Sequence, residues 1–312
     1  MAPRKPAQGL ACQYPRETSM NYYVHRALHK AGFFDKINLI LGVTLRGRRF
    51  RLPVVRGAGY HNVTPSEAWM SELLEGALAS RPGAVLDVGM NIGQTLLKVA
   101  SIDPSRRYLG FEPNPLCYYV CHQLVLQNQL EGYSLFPVGL SDSNTTLDLY
   151  LDCDYASGAS VLSEFRENKA KHLKQRMNIA VFSGDSIAAV QSEPEIAVMK
   201  LDIEGAELEA VKGLRDTIAR TRPLIVLEIL PVYSIERPTG QYRKARQDQL
   251  TAELQKLGYR MFLIHEKART LEPLESVPIH GDMNRTNYLF AHIENGPSLG
   301  GFSTSSRFPV RV

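Results

Sequence analysis

The chain has 312 residues, 44% of them hydrophobic, and its 36 basic and 32 acidic side chains leave a net charge of +4. This is enough apolar material for a globular core, and so mild a charge without a recognisable reader motif gives no argument for a nucleic-acid partner. No run approaches the eighteen apolar residues of a membrane span and the first residues lack the apolar region of a secretory signal, so the sequence predicts a cytoplasmic protein without a membrane span.

The chain is predicted to begin and end with flexible segments, at residues 1–20 and 296–312, because both are rich in proline or polar residues. Residues 21–80 are predicted to form an extension, in which a hairpin turns at Gly47 and an amphipathic helix follows. The arginines of this hairpin suit either a solvated strand edge or a site for an anionic ligand. They are Arg46, Arg48, Arg49, Arg51 and Arg56.

Residues 81–295 are predicted to form an α/β domain with a doubly wound, mostly parallel, seven-stranded sheet. Segments that are apolar throughout alternate with amphipathic helices, which is typical of a parallel sheet covered on both faces. The predicted strands are AVLDV, RYLGFE, YSLFPVGL, IAVMKLD, LIVLEI, YRMFLI and NYLFAHI, and a late helix is predicted over about 247–257. In an insertion at about 143–192, TTLDLYL alternates like a short strand. The following CDYASGASVLSEFRENKAKHLKQR is either a mobile cover over a site or ordinary decoration.

The turn after the first strand of this domain contains Gly89, Asn91 and Gly93. Ligands of doubly wound sheets bind at the carboxyl ends of the strands, and the first such turn carries the glycines. A dinucleotide fingerprint would place a second glycine where Asn91 stands. The amide fills the volume that a pyrophosphate would need, and it can hydrogen-bond a smaller carboxylate or zwitterionic group.

Two carboxylates at later strand ends complete this pattern. Glu112 ends the second strand, where a carboxylate typically accepts hydrogen bonds from ribose hydroxyls. Asp142 ends the third strand and suits either an adenine amino group or the cap of a turn. An adenosine joined to an amino-acid-like tail without phosphates is S-adenosylmethionine, which the sequence therefore predicts as the cofactor.

The segments VLDVGMNIGQT, GFEPNP, PVGLSD, MKLDIEGAELEAVKG and RPLIVLEI, in this order and spacing, closely resemble the FkbM-type methyltransferase family over about residues 84–230. The resemblance implies a class I methyltransferase fold of the Rossmann-like kind, S-adenosylmethionine as cofactor, and O-methylation of a hydroxyl on a saccharide, glycan or secondary metabolite. It places Lys200, Asp202 and Glu204 at the mouth of the site. It implies cofactor contacts from Asp87, Gly89, Asn91, Gly93, Glu112 and Asp142. The chain departs from the family at two positions. Met90 stands where the family usually has alanine, and Gly184 stands where the family usually has a leucine before the aspartate, which is Asp185 here.

A methyltransferase mainly has to place the acceptor oxygen in line with the methyl carbon and sulfur, because the sulfonium already makes the methyl electrophilic. An alcohol must also lose a proton, and a carboxylate suits that task. Strand alternation puts Lys200 and Asp202 on one face. Asp202 is therefore predicted to be the base or acceptor-positioning group, with Lys200 holding it ionised and Glu204 supporting the turn. The alternative is that Asp202 and Glu204 cap the next helix.

Several other residues have weaker roles in this scheme. Glu207 is predicted to be either a helix-surface residue or a first-turn charge, and Glu228 suits either substrate contact or a structural hydrogen bond. His61 and His265 are alternative candidates for the base, but for each an ordinary, partly buried histidine without a catalytic role is favoured. No metal is predicted, because the cysteines lack zinc spacing, although Asp202 with Asp185 leaves a magnesium-assisted variant open.

Two other functions compete with a methyltransferase. A nicotinamide-dependent oxidoreductase would use the same sheet, but Asn91 in the glycine position contradicts it. A catalytically silent adenosyl- or glycan-binding module would use the basic hairpin to hold an anionic glycan. A serine hydrolase is disfavoured, because no Gly-x-Ser-x-Gly elbow follows a strand.

Overall fold

A nine-stranded mixed sheet forms the centre of the protein, whose computed structural model describes residues 38–64, 66–151, 175–296 and 299–304. The strands in chain order are β1 (Asn38–Leu45), β2 (Arg48–Val55), β3 (Ala84–Val88), β4 (Tyr108–Phe111), β5 (Tyr133–Phe136), β6 (Gly139–Ser141), β7 (Thr145–Leu151), β8 (Gln175–Ser183), β9 (Ile196–Leu201), β10 (Leu224–Glu228), β11 (Tyr259–His265), β12 (Thr270–Leu274), β13 (Asn287–His292) and β14 (Ser303–Thr304). The α-helices are α1 (Ala68–Ser80), α2 (Gln94–Ile102), α3 (Pro115–Asn128), α4 (Ala188–Gln191), α5 (Glu207–Gly213), α6 (Arg215–Thr221) and α7 (Pro238–Lys256).

The order of the large sheet is β14-β12-β11-β13-β10-β9-β3-β4-β5. The strands from β10 to β5 are parallel, and β13 lies antiparallel between β10 and β11. The order reverses between β3 and β9, which is the switch point of a doubly wound sheet. This confirms the predicted α/β class I fold. All seven predicted strands contribute to this sheet, but β12 and β14 also join it, so the described part has nine strands rather than seven.

Both faces of the sheet are covered by helices. All five residues of β3 are buried, as expected for a strand with helices on either side. On one face α1 and α2 contribute Trp69 and Leu96 to a core that also holds Leu52 of the hairpin. On the other face α5 and α7 contribute Leu208 and Leu254. The last helix, α7, begins about nine residues earlier than predicted, because Pro238 provides a favourable first position.

The N-terminal hairpin forms as predicted, with Arg46 and Gly47 in the turn between β1 and β2, both at positive φ. The side chain of Asn128 on α3 fixes the hairpin by accepting a hydrogen bond from the Arg51 N–H at 2.8 Å and donating one to its carbonyl at 2.9 Å. The five hairpin arginines are exposed, and Arg46 pairs with Glu75. A ligand role for them stays a prediction, as does the domain boundary near residue 80.

The insertion contributes β7 and β8 to a second, three-stranded sheet of order β6-β8-β7, in which β6 comes from just before the insertion. TTLDLYL is strand β7, as predicted. YSLFPVGL is not one strand, because Pro137 separates β5, which joins the large sheet, from β6, which pairs with β8. Most of the segment predicted to be either cover or decoration lies outside the described residues, as do residues 1–20 and 305–312 of the predicted flexible ends. None of the helices in the described ranges has the length and hydropathy of a membrane span.

Candidate active site

A cavity of about 560 Å³ opens at the carboxyl edge of the parallel strands, at the point where their order reverses. Its walls are the turn after β3, the end of β4, the segment 139–143, one face of the small sheet, and the ends of β9 and β10. This is the place where doubly wound sheets bind their ligands. Seven of the nine predicted site residues line the cavity, namely Gly89, Asn91, Glu112, Asp142, Lys200, Asp202 and Glu204.

The other two predicted residues, Asp87 and Gly93, lie behind the lining that the described residues form. Asp87 is fully buried, accepts a hydrogen bond from the Tyr108 hydroxyl, and lies 3.7 Å from the Lys200 ammonium. Burial raises the pKa of Asp87, against the attraction of Lys200 and the Tyr108 hydrogen bond. Asp87 therefore orients the Lys200 ammonium from the side that faces away from the cavity. A contact of Asp87 or Gly93 with a cofactor stays a prediction.

Gly89 is glycine because the turn after β3 passes against the turn after β9. Its φ is 81°, and a Cβ added to it would stand 2.2 Å from the Asp202 carbonyl oxygen. Only glycine combines this left-handed backbone with so close an approach. The glycine thus brings the turn that was predicted to receive the cofactor directly beside Asp202.

Asn91 follows in the same turn, with a φ of 47°, a conformation that asparagine adopts more readily than most residues. Its N–H donates to the Glu112 carboxylate at 2.9 Å. The buried thiols of Cys117 and Cys121 on α3 donate to its side-chain and main-chain oxygens, at 3.3 and 3.0 Å. The turn is therefore fixed to β4 and α3 from several sides.

Glu112 stands just beyond β4 and is 8% exposed. One carboxylate oxygen accepts the Asn91 N–H and the other accepts the Asn114 N–H, both at 2.9 Å. Burial raises the pKa of Glu112 to about 7, against the effect of these two hydrogen bonds. Each oxygen has a second lone pair, so both can still accept a hydroxyl from a ligand in the cavity.

Lys200 on β9 and Asp202, the first residue after β9, meet on one side of the strand end, as strand alternation predicts. The Lys200 ammonium lies 3.1 Å from Oδ2 of Asp202. Burial opposes charge on both groups, but their mutual attraction outweighs it, so the pKa of Lys200 lies above its usual range. The pKa of Asp202 lies below its usual value because Lys200 and a hydrogen bond with Glu228 stabilise the carboxylate. Asp202 is therefore ionised at neutral pH and faces the cavity.

The turn after β9 carries Asp202 and Glu204 and is closed by Glu207. Oε1 of Glu207 accepts the N–H groups of Ile203 at 3.2 Å and Gly205 at 3.0 Å. Glu207 is 6% exposed, and burial raises its pKa to about 7. Glu207 is a first-turn acidic residue of α5, which was one predicted alternative, but the other alternative, a place on the helix surface, is wrong because the turn after β9 folds back over it. Glu207 therefore holds this turn, and a supporting role for Glu204 stays a prediction.

Other candidate residues lie away from the cavity. His61 borders a separate small cavity, and His265 hydrogen-bonds Glu272 at 2.8 Å. Asp185 accepts three hydrogen bonds at the start of α6, where it acts as a helix cap. A magnesium site that joins Asp185 to Asp202 has no support in this arrangement.

Three carboxylates, those of Asp202, Glu204 and Glu228, bring one oxygen each within 4.8 Å of one another. Such acidic clusters are common in proteins without a bound ion, and Lys200 already compensates the charge of Asp202. We assign this cluster no metal. The thiols of Cys117 and Cys121 are buried and hydrogen-bond Asn91, and within the described residues neither forms a disulfide.

One wall of the cavity was not predicted. The small sheet presents Leu147, Leu149, Ile179 and Val181 to the cavity, opposite the polar strand ends. The alternation of TTLDLYL indicates that one face of β7 is apolar, but which surface that face covers depends on how the small sheet packs. The cavity thus has one aliphatic wall and one edge lined by carboxylates.

The doubly wound strand order, the glycine turn and the strand-end carboxylates are those of the class I methyltransferase fold. The sequence model described as the methyltransferase FkbM domain matches residues 87–261, more than half of the chain. The protein belongs to the FkbM methyltransferase family, as its motifs indicate. The cofactor of this family is S-adenosylmethionine.

Individual relatives are distant. Methyltransferase sdnD of Sordaria araneosa is 28% identical over 154 residues, which cover 42% of this chain and 60% of the relative. The 2-O-methyltransferase NoeI of Sinorhizobium fredii is 26% identical over 159 residues, which cover 47% of this chain and 63% of the relative. The chain thus spans about three fifths of these curated relatives. A crystal structure of methyltransferase FkbM from Methylobacillus flagellatus is 13% identical with a TM-score of 0.42, covering 88% of this chain and 60% of that one.

Proposed function

We propose that this protein is an S-adenosylmethionine-dependent O-methyltransferase that acts on a hydroxyl of a saccharide, glycan or secondary metabolite. The observation that carries the proposal is the ionised Asp202 carboxylate, which Lys200 holds at 3.1 Å in the same cavity as Asn91 and Glu112. A proton acceptor and a nucleoside-binding carboxylate thus share one cavity. The name of the relative NoeI, a 2-O-methyltransferase, supports oxygen as the acceptor atom.

The residues present fit the cofactor. Glu112 keeps a lone pair on each oxygen for the ribose hydroxyls, and Asn91 offers an amide to the amino-acid part. Asp142 lines the cavity beside the aliphatic wall of the small sheet, which suits an adenine ring. When bound, the cofactor supplies an electrophilic methyl group.

The protein's own residues would then bind and orient the acceptor and remove its proton. Asp202 accepts the hydroxyl proton, and Lys200 keeps that carboxylate charged until the acceptor arrives. The aliphatic wall limits the water that reaches the reacting oxygen. The acidic groups around Asp202 favour neutral acceptors over anionic ones, because a negative acceptor would be repelled there.

Calorimetric titration with S-adenosylmethionine tests the cofactor, with NAD as the parallel ligand. We expect S-adenosylmethionine alone to bind, and Glu112→Ala to weaken binding by about tenfold or more because two hydroxyl hydrogen bonds are lost. Glu131→Ala, which removes an exposed carboxylate, is the matched control and should bind normally. Binding of NAD instead, or of neither ligand, would refute the proposal.

Transfer of a labelled methyl group to neutral sugars and polyols tests the reaction. We expect Asp202→Asn to keep cofactor binding and to lower kcat by about 100-fold or more, because a positioned base typically contributes that much. A silent binding module would instead show cofactor binding but no transfer by the wild-type protein. Labelled nitrogen acceptors in the same panel would reveal N-methylation, which would correct the acceptor atom.

A further inference from the structure

Glu228 lines the cavity beside Asp202 but has no place in the scheme above. It is the last residue of β10, and its Oε1 accepts a hydrogen bond from the Thr286 hydroxyl at 3.2 Å. Because β13 runs antiparallel to β10, Asn287 pairs with Glu228 and Thr286 arrives at the same edge. Thr286 is 2% exposed, so this hydrogen bond fixes Glu228 from the protein side.

The carboxyl groups of Glu228 and Asp202 lie close together, with one oxygen of each within 4.8 Å of the other. Two ionised carboxylates this close repel one another, whereas a proton on one of them removes the repulsion and supplies a donor that the other can accept. Oδ2 of Asp202 is also 3.1 Å from the Lys200 ammonium. Because Lys200 stabilises negative charge on Asp202, the proton of the pair belongs on Glu228.

We propose that Glu228 is protonated and that its hydroxyl positions the Asp202 carboxylate, from the side opposite Lys200, to take the proton of the acceptor hydroxyl. This inference rests on the proposed function. Glu228 is thereby a positioning residue, since it acts through Asp202.

The charges around Glu228 support this placement of the proton. Asp202 and Glu204 face it from the turn after β9, Thr286 faces it from the segment before β13, and Lys200 lies beyond Asp202. Burial, the negative charge of Asp202 and the hydrogen bond with Asp202 raise the pKa of Glu228 to about 9. Glu228 therefore keeps its proton at neutral pH, while Asp202 is ionised.

The methyl transfer then balances with Glu228 unchanged. The acceptor O–H bond breaks and its proton passes to Asp202, while the acceptor oxygen forms a bond to the methyl carbon. The bond from that carbon to sulfur breaks, and its electron pair stays on sulfur. Asp202 ends the step neutral and returns its proton to solvent, and Glu228 holds its own proton throughout.

The position of the proton can be measured without acceptor or cofactor. In protein labelled with ¹³C at the glutamate side-chain carboxyl, we expect one resonance to titrate near pH 9 in the wild type and to be absent in Glu228→Gln. Glu236→Gln, an exposed carboxylate eight residues further on, should leave it unchanged. Asp202→Asn should move this titration down by about one pH unit or more, because the neighbouring charge is gone. A Glu228 resonance that titrates below about pH 6 would overturn the proposal.

The kinetic consequence separates positioning from a structural role. We expect wild-type kcat to fall above about pH 9, where two ionised carboxylates repel one another, and Glu228→Gln to lack this fall because its amide still donates to Asp202. Glu228→Ala should lower kcat about tenfold or more with unchanged cofactor affinity. An identical alkaline fall in Glu228→Gln would refute the positioning role. Absence of methyl transfer by the wild type would instead refute the proposed function, while the carboxyl titration would still show where the proton lies.

Discussion

Replacement of Glu207 by glutamine should remove part of the pH dependence of stability. Oε1 of Glu207 alone accepts the two N–H groups of Ile203 and Gly205, so the amide oxygen of glutamine can take over both hydrogen bonds. What the substitution removes is a titratable group that is 6% exposed. Glu207→Gln therefore isolates the effect of protonation with little change in structure.

The sign and size of this effect follow from the two pKa values of Glu207. Burial raises the pKa from 4.5 in the unfolded chain to about 7 in the folded protein. Between these values the folded state holds a proton that the unfolded state has lost, so the free energy of unfolding decreases as pH rises. At about 1.4 kcal/mol per pH unit, the wild type should lose about 2.5 kcal/mol relative to Glu207→Gln between pH 5 and pH 8.

Urea unfolding at pH 5 and pH 8 measures this difference directly. The free energy of unfolding of Glu207→Gln should rise relative to that of the wild type between pH 5 and pH 8. Glu131→Gln, which removes an exposed carboxylate, should match the wild type at both pH 5 and pH 8. A difference between wild type and Glu207→Gln that is the same at pH 5 and pH 8 would show that Glu207 is ionised in the folded protein. The assignment of Glu207 as the buried closure of the turn would then be wrong.

Three further substitutions test how the site is supported. Gly89→Ala should lower the free energy of unfolding by about 3 kcal/mol, because its Cβ would collide with the Asp202 carbonyl, and urea unfolding together with loss of S-adenosylmethionine binding would confirm it. Asp185→Ala should cost about 1–2 kcal/mol through loss of the α6 cap, with cofactor affinity unchanged in calorimetry; weaker binding would show that Asp185 belongs to the site. Tyr108→Phe should cost about 1–3 kcal/mol, because buried Asp87 loses its hydrogen-bond donor, and a shift below 0.5 kcal/mol would contradict that pairing.

The sequence predicts much of the site because parallel strands end at a common edge. Glu112 and Asp202 are strand-end carboxylates, so the strand assignment alone brings them to one cavity. Alternation along β9 places Lys200 beside Asp202, because residues two apart share a face. These inferences need only the type and direction of each element.

Other features depend on which elements lie side by side. Asp87 meets Tyr108 because β4 pairs with β3, and Thr286 reaches Glu228 because β13 lies antiparallel to β10. Neither pairing can be deduced from the periodicity of one segment. The burial of Glu207 was missed for a related reason: its place in the first turn of a helix is visible in the sequence, but the turn that folds back over it is not.

Because β13 runs antiparallel to β10, a late segment of the chain contacts the cavity that earlier segments form. In a sheet made only of parallel strands, every segment that leads into a strand would lie at the amino edge of the sheet, opposite the cavity. Here the segment 275–286, which joins β12 to β13, instead arrives beside Glu228. Residues in this segment can change without altering the turn after β3, which is fixed to β4 and α3 by its own hydrogen bonds. A change in this segment therefore reaches the cavity through Glu228 alone among these contacts, while the turn after β3 keeps its own support.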